Sequence, residues 1–159
     1  MHRLTVVVCW VLVAAATVAL PFSATAAAGT ASAQEKAALG SFQAMLDGLG
    51  KRDKAVMMAQ FLPRGTATLM REGKPVQLSL EELADKISKS GTEPIEERIH
   101  DALVRVDGNV AIVWAPFELL VNGKVEHCGR DVANLVQVDG RWLIAAIVDN
   151  SRDECGKKK

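Results

Sequence analysis

Three short turn signals, each next to apolar and β-branched residues, constrain the fold of this chain more than any other feature. They are Asp107-Gly108, Asn122-Gly123 and Asp139-Gly140. Such pairs favour two-residue hairpin loops, because both central positions of a type I′ turn need a positive φ. The pattern predicts four antiparallel strands that follow one another between Arg98 and Asp149.

Two-residue loops also predict which residues face each other across the strands. One row is predicted to hold Asp101, Trp114, Asp131 and Val148, and a row on the opposite face His100, Ala115, Arg130 and Asp149. A single β-bulge would exchange the two faces beyond it. Both faces carry many apolar residues, so we expect one to pack against helices and the other to be covered by a second subunit or by curvature of the sheet.

The residues before this sheet predict helices and a small hairpin. The spacing of apolar residues predicts a helix from Gln34 to about Leu49. The next elements are predicted as a helix over 54–61 with Asp53 as its N-cap, a hairpin joining 66–70 to 75–78, and a helix over 80–88. Ser79 and Glu82 have the spacing of a capping box for the last helix.

The N-terminus has the pattern of a secretory signal peptide. His2 and Arg3 precede an apolar run from Leu4 to Leu20, and A-x-A cleavage patterns end at Ala26 and Ala33. The alternative is an uncleaved membrane anchor, but the run is short for a span and the cleavage patterns favour removal. We therefore predict a signal peptide over 1–33, one domain over 34–159, a secreted or periplasmic location, and no stable membrane anchoring after cleavage.

The net charge narrows the possible binding partners, and the cysteine content predicts a disulfide. The full chain has 19 basic and 19 acidic residues. Cleavage after residue 33 removes one basic residue, Arg3, and leaves 18 basic and 19 acidic residues, a formal charge of −1. A nearly neutral domain lacks the basic surface typical of nucleic-acid binding. Two cysteines remain, Cys128 and Cys155, and in an oxidising compartment we expect them to form a disulfide.

No motif indicates a metal or a cofactor. The sequence has no C-x-x-C or H-E-x-x-H spacing, and its glycines lack a phosphate-binding context. His127 and Cys128 are adjacent, so in a strand they point to opposite faces and do not chelate one ion. We therefore expect neither group.

The order helix, helix, hairpin, helix, long meander resembles the nuclear transport factor 2-like superfamily, in particular its secreted SnoaL-like proteins. The resemblance covers about residues 35–155 and lies in Glu97-Arg98-Ile99-His100, residues 106–117, Asn122-Gly123, residues 127–131 and residues 139–144. It implies an α+β fold: a cone-shaped, strongly curved, mostly antiparallel sheet wrapped around N-terminal helices, with a pocket between sheet and helices. Relatives with this fold include isomerases, dehydratases, cyclases and inert ligand binders, so the fold does not define the function.

Within such a pocket, Asp131 is the candidate catalytic residue. Burial would raise the pKa of its carboxyl group toward the working pH, as a general base requires. The other residues expected to line the pocket are Trp114, Asp101, Met57, Phe61 and Ala133, the last at a position where relatives carry phenylalanine. The structural alternative is that Asp131 binds backbone groups or an arginine such as Arg98.

His100 is open to the same two interpretations, a general base or a member of a salt-bridge cluster. The chain contains no tyrosine, so the tyrosine that donates to the oxyanion in ketosteroid isomerases is missing. We therefore expect an exported module that binds a small apolar ligand or forms a homodimer through its sheet. The alternative is a cofactor-independent isomerase, dehydratase or cyclase that uses Asp131 as the base.

Overall fold

The computed structural model of this protein describes residues 25–152 and Cys155, with side chains described from residue 33 onward. The apolar run of the predicted signal peptide lies outside the described residues. The first helix, α1, begins at Thr25, before the predicted start at Gln34, and ends at Gly50.

Two more helices and seven strands follow α1. They are α2 (Lys54–Met58), β1 (Phe61–Arg71), β2 (Lys74–Ser79), α3 (Leu80–Ser88), β3 (Ile95–Ile99), β4 (Leu103–Asp107), β5 (Val110–Val121), β6 (Lys124–Val138) and β7 (Arg141–Arg152). No helix in the described ranges combines the length and apolar character that crossing a membrane requires.

All seven strands form one curved, unclosed sheet. Its strand order is β2-β1-β7-β6-β5-β3, and β4 also pairs with β5. The β1–β7 pair is parallel and the other pairs are antiparallel. The predicted α+β class, with a curved and mostly antiparallel sheet, is confirmed. We call the face turned toward α1 and α3 the inner face and the opposite face the outer face.

The hairpin turns follow the turn chemistry of the sequence with one difference. The loops Asn122-Gly123 and Asp139-Gly140 have positive φ at both positions, as type I′ turns require. The first loop is Gly108-Asn109 instead of Asp107-Gly108, because Asp107 pairs with Val110. Gly108 takes the first central position with a φ of 57°, which suits a type II′ turn.

Two β-bulges change the predicted register. One lies where the pairs Leu119–His127 and Leu120–Val125 leave Glu126 without an opposite residue. The other separates the pairs Asn134–Ala146 and Leu135–Ile144. Each bulge shifts the pairing by one residue and therefore exchanges faces.

The predicted row of Asp101, Trp114, Asp131 and Val148 is consequently wrong. Asp131 lies opposite Ala115 on one side and Asp149 on the other. The predicted cluster of His100 with Arg130 and Asp149 is also wrong, because Arg130 pairs with Asn150.

The helix caps were correctly predicted, and the second helix is shorter than predicted. Ser79 and Glu82 form the capping box of α3, and the Asp53 side chain accepts a hydrogen bond from the Val56 N–H. The second helix ends at Met58 rather than Phe61, because Phe61 starts β1 and pairs with Ile144. Strand pairing therefore takes over the residues that helical periodicity had assigned to α2.

The core lies between α1 and the inner face of the sheet. The apolar residues that predicted α1 are all buried: Ala38, Phe42, Met45, Leu46 and Leu49. Full burial of one large apolar side chain contributes about 1.5–3 kcal/mol, so this stripe fixes the helix across the sheet.

The predicted disulfide joins Cys128 in β6 to Cys155 beyond the end of β7, with the two Cα atoms 5.7 Å apart. It closes a sequence separation of 27 residues. On the chain-entropy account, a loop of this size stabilises the fold by about 3–4 kcal/mol. The bond ties the C-terminal segment to the strand that also carries Asp131.

Gly129 allows close contacts at the centre of β6. A Cβ atom at this position would meet the Asn150 carbonyl oxygen at 1.7 Å and the Phe117 ring at 2.7 Å. Phe117 is paired with Gly129 and covers it from β5. Only a residue without a side chain fits here.

We expect the substitution Gly129→Ala to lower the free energy of unfolding by about 2 kcal/mol or more, because backbone and ring must move to admit the methyl group. Urea denaturation measures the change. The control is Gly40→Ala in α1, where an added Cβ meets nothing within 4 Å. That control should leave stability unchanged or raise it by up to about 1 kcal/mol, and equal effects of the two substitutions would contradict the packing explanation.

Candidate functional site: a carboxyl cluster in an apolar cavity

A cavity of about 470 Å³ lies between the helices and the inner face of the sheet. Its apolar wall consists of Phe42, Met45 and Leu49 from α1, Leu83 and Ile87 from α3, and Leu69, Ile95, Phe117, Leu119, Val121 and Ile147 from the strands. A cavity of this size and character is typical of sites that hold a small organic molecule.

Three of the five carboxyl groups that line this cavity interact with one another from three strands. Glu97 lies in β3, Asp131 in β6 and Asp149 in β7. Asp131 and Asp149 are directly paired across the sheet and are only 4% and 8% exposed. Burying acids so close together is costly, so their charges must be compensated or their protons retained.

The Asp149 charge is compensated by Arg71 at the end of β1. The guanidinium donates two parallel hydrogen bonds to the carboxylate, with Nη1–Oδ1 and Nη2–Oδ2 distances of 2.5 and 2.8 Å. Arg71 also donates to the Met70 carbonyl oxygen. Such two-point pairing is the strongest arrangement of these groups, and it raises the pKa of Arg71.

Asp131 and Glu97 retain protons instead. Burial, the charge of Glu97 and the charge of Asp149 raise the pKa of Asp131 to about 9. Burial also raises the pKa of Glu97 to about 7, while its hydrogen bond with Asp131 acts in the opposite direction. The two carboxyl groups titrate as a pair, so between about pH 7 and pH 9 they share one proton.

One oxygen of this carboxyl pair, Asp131 Oδ2, is buried and accepts no hydrogen bond from the described residues. A buried polar atom without a partner is rare and costs free energy. The pair can therefore offer a shared proton and free acceptor positions to a molecule in the cavity. Among the described residues, no group of acids, histidines and cysteines is arranged to hold a metal ion.

The remaining polar wall lies toward the bulge in β6. Glu126 and His127 are consecutive, yet both line the cavity, because Glu126 is the unpaired residue of the bulge. The His127 ring makes an edge contact with Phe117, at a centroid distance of 5.9 Å. Arg52 also lines the cavity and donates from Nε to the Ser90 carbonyl oxygen at 2.5 Å.

Of the predicted site residues, Asp131 lies in the cavity wall and the others lie elsewhere. Trp114 and Asp101 are exposed, and Trp114 is on the outer face with the Arg130 guanidinium 5.2 Å from its ring centre. Met57, Phe61 and Ala133 are buried in the hydrophobic core.

His100 is likewise exposed, and its Nε2 lies 3.4 Å from Glu118. The prediction that His100 and Asp131 do not form a pair therefore agrees with the structure.

Glu97, Asp149 and Arg71 were not predicted from the sequence as site residues. A signal for the two acids was present, because each alternates with apolar residues of the inner face. Glu97 stands between Ile95 and Ile99, and Asp149 follows Ile147 at a spacing of two. Arg71 likewise follows Ala67 and Leu69 at spacings of two, but no local signal predicts that the parallel β1–β7 pairing brings it to Asp149.

The proton on Asp131 should make the stability of the fold depend on pH. Its folded-state pKa is raised, so this contribution is fully present below about pH 4 and is lost as the pH rises toward 9. We expect the free energy of unfolding to fall by about 2 kcal/mol between pH 6 and pH 8, and by less than about half of that in Asp131→Asn. Urea titrations at several pH values measure both slopes.

The control for this prediction is Asp139→Asn, which removes a carboxylate from an exposed hairpin turn and should retain the wild-type slope. A wild-type stability that stays constant over this range would show that Asp131 does not hold its proton.

Comparison with known proteins places this geometry in a family. The sequence model of a family described as "putative lumazine-binding" matches residues 33–148. A search of curated proteins finds no match.

Solved structures with this fold include a protein of unknown function from Shewanella baltica, with 17% identity, a TM-score of 0.62, and 77% of this chain and 97% of that chain covered. A protein from Pseudomonas putida has 13% identity, a TM-score of 0.65, and coverages of 80% and 93%. A "putative dehydratase" from Streptomyces avermitilis has 16% identity, a TM-score of 0.64, and coverages of 76% and 97%.

All three are described as members of the nuclear transport factor 2-like group, and at these identities they show the fold alone. They and the family match confirm the predicted superfamily, whereas the SnoaL-like subgroup stays a prediction. The chain belongs to the putative lumazine-binding family of the nuclear transport factor 2-like superfamily.

Proposed function

We propose that this protein binds a small organic molecule in the cavity between the helices and the inner face of the sheet. The observation that carries the proposal is the buried Asp131 carboxyl group, which faces a cavity of about 470 Å³ while its Oδ2 has no partner among the described residues. The apolar wall contacts the body of the ligand, and the Asp131–Glu97 pair contacts its polar end.

The cavity and the carboxyl pair support this proposal together. An apolar cavity with a few converging polar groups provides affinity through burial and orientation through hydrogen bonds. Removing the partner of a buried polar atom costs about 1–3 kcal/mol, so a ligand that supplies this partner gains a comparable amount. The free protein thus leaves part of its hydrogen-bonding capacity for the ligand.

The family description suggests a first probe. Lumazine is a planar fused heterocycle whose ring amides contain both N–H donors and carbonyl acceptors. A carboxyl pair that shares one proton offers the complementary acceptor and donor. A fused ring of this size also suits a wall built from Phe117, Leu119 and the aliphatic residues of α3.

Filling the cavity with a larger side chain should weaken ligand binding. Leu119 lines the cavity from β5, so we expect Leu119→Trp to weaken the binding of lumazine or of a neutral apolar fluorophore by about tenfold or more. Fluorescence titration measures the affinities. The control is Val110→Trp, which adds the same ring at an exposed position at the start of the same strand and should bind as the wild type does. Unchanged binding by the Leu119 variant would place the ligand outside the cavity.

We also propose that the protein is exported to the periplasm or the medium. The support is the N-terminal pattern of basic residues, apolar run and cleavage sites, together with the Cys128–Cys155 disulfide. Disulfides of this kind persist in oxidising compartments.

A homodimer through the outer face of the sheet is the second part of the proposal. The apolar residues Leu103, Ile112, Trp114 and Val148 are each about 40% exposed, and they lie in adjacent rows of β4, β5 and β7. Contiguous exposed apolar residues of this kind mark interaction surfaces. A second copy of the chain, packed against this face, would bury these apolar side chains.

Charge on this face should separate the subunits. We expect wild-type protein to sediment as a dimer and Trp114→Glu as a monomer, because the carboxylate would have to be buried in the contact. Analytical ultracentrifugation distinguishes the two. Val76→Glu replaces an exposed apolar residue on strand β2 and should remain dimeric. A monomeric wild type at high concentration would contradict the proposal.

Catalysis with Asp131 is the alternative function, and the shared proton of Asp131 and Glu97 is the observation that favours it. A raised pKa makes Asp131 an acid near neutral pH and leaves the role of base to Glu97. Such chemistry also needs a donor for the negative charge that develops on the substrate. The chain contains no tyrosine, and Arg71 is already bound by Asp149. The binding function therefore demands less of the residues present.

A further inference from the structure

We propose that the polar end of the ligand is a planar nitrogen cation, of the amidinium or guanidinium class, which binds at Asp131 and Glu97. This inference rests on the proposed binding function and specifies the chemical class of the ligand. It derives from the charges that line the cavity and from the hydrogen bonds that the protein leaves unmade.

The cavity contains more acids than bases. Its acidic side chains are Glu93, Glu97, Glu126, Asp131 and Asp149, and its basic side chains are Arg52 and Arg71 together with His127. Arg71 is paired with Asp149, and its charge acts more weakly on Glu97 and Asp131. The charge of Arg52 acts on Glu93. Among the described residues, neither guanidinium forms an ion pair with Glu97, Asp131 or Glu126. A ligand that carries positive charge would therefore complement the site, and a ligand that carries negative charge would be repelled.

The unpaired atom of Asp131 provides the second observation. Asp131 is 4% exposed and lines the cavity, and no donor among the described residues reaches its Oδ2. Buried carboxylates normally accept hydrogen bonds from several N–H groups. Apart from the proton shared with Glu97, further donors to Asp131 must come from the cavity. An amidinium presents two parallel N–H bonds, in the geometry that carboxylates bind best.

The groups around the pair determine how binding depends on pH. Arg71 faces it from β1, Asp149 from β7, Glu126 and His127 from β6, and Glu93 and Arg52 from the two loops at the cavity wall. The residues that α1, α3 and β5 contribute to the wall are apolar. When Asp131 and Glu97 are both ionised, the bound cation therefore balances the second negative charge of the pair.

Binding then releases a proton. In the free protein the pair retains one proton between about pH 7 and pH 9. When the cation binds, it takes the place of that proton, and the proton leaves to solvent. By linkage, the affinity for the cation rises with pH over this range, by up to about tenfold per pH unit.

Benzamidine, benzamide and benzoate form a matched set for the test. They share shape and size, and they carry a positive, zero and negative charge. Benzamidine stays protonated throughout this pH range, so a change in its affinity reports the protein. Isothermal titration calorimetry at pH 7.0 and pH 8.5 measures the affinities, and buffers of different ionisation enthalpy reveal the released proton.

We expect benzamidine to bind most tightly, about tenfold or more tighter at pH 8.5 than at pH 7.0. Benzamide should bind more weakly and equally at the two pH values, and benzoate should bind most weakly. Asp131→Asn should abolish the pH dependence for benzamidine and lower its affinity at pH 8.5 by about tenfold or more. Glu97→Gln should have the same effect, and it replaces Asp131→Asn in the test if that variant does not fold. Glu118→Gln, which removes an exposed acid next to His100, is the control and should bind as the wild type does.

The outcomes separate this inference from the binding function itself. Benzamide or benzoate binding as tightly as benzamidine at pH 8.5 would overturn the cation inference and leave the cavity as a binding site. Benzamidine binding that does not change with pH would overturn it as well. If none of the three compounds binds while the neutral fluorophore still does, the cation inference is wrong. If the fluorophore also fails to bind in the cavity, the proposed function is wrong too.

Discussion

Three carboxyl groups and the guanidinium of Arg71 together determine the charge and the protonation of the inner face. Arg71 compensates Asp149 through two hydrogen bonds. Asp131 and Glu97 lie in the same apolar surroundings, without a guanidinium of their own, and they retain protons that exposed acids would lose. The apolar residues that α1 and α3 contribute to the cavity wall strengthen this effect, because they make the surroundings of the carboxyl groups less polar. Helix packing and acid chemistry in this fold are therefore not independent.

Such an arrangement costs stability, and this cost bears on function. A chain selected for stability alone would place an apolar residue where Asp131 lies, because the cavity wall around it is mostly apolar. The unpaired Asp131 Oδ2 thus lowers the stability of the fold, and the packing of the core must offset this loss. Groups held in unfavourable environments are found most often at binding and catalytic sites.

Local sequence signals predicted most of the architecture. The turns at Asn122-Gly123 and Asp139-Gly140, the capping box of Ser79 and Glu82, and the Cys128–Cys155 disulfide all depend on neighbouring residues or on few candidates, and the structure confirms them. Asp131 was identified as a candidate because it is an acid in a strand of apolar residues. Asp131 lies in the cavity wall, and its catalytic role stays a prediction.

The composition of the site was harder to predict, because it depends on two bulges. The bulge at Glu126 inserts one extra residue into β6, and no residue type in the sequence marks it. Each bulge exchanged the faces, so Asp149 was assigned to the wrong side and Trp114 was placed next to Asp131. Alternation within single strands would have been the safer guide, since it places Glu97 and Asp149 with apolar neighbours without using the register between strands.

The pairing of β1 with β7 has a consequence for how the site forms. Asp131 and Asp149 belong to one hairpin that is closed by a two-residue turn, and chain segments this close in sequence meet early and at low entropic cost. Arg71 is 78 residues from Asp149, and it arrives through the parallel pairing, the kind of contact that forms slowly. The acids are thus encoded locally and their cation at long range. A chain with only its hairpins formed brings the negative charges together before Arg71 can offset them, so completion of the sheet relieves the repulsion that the hairpins create.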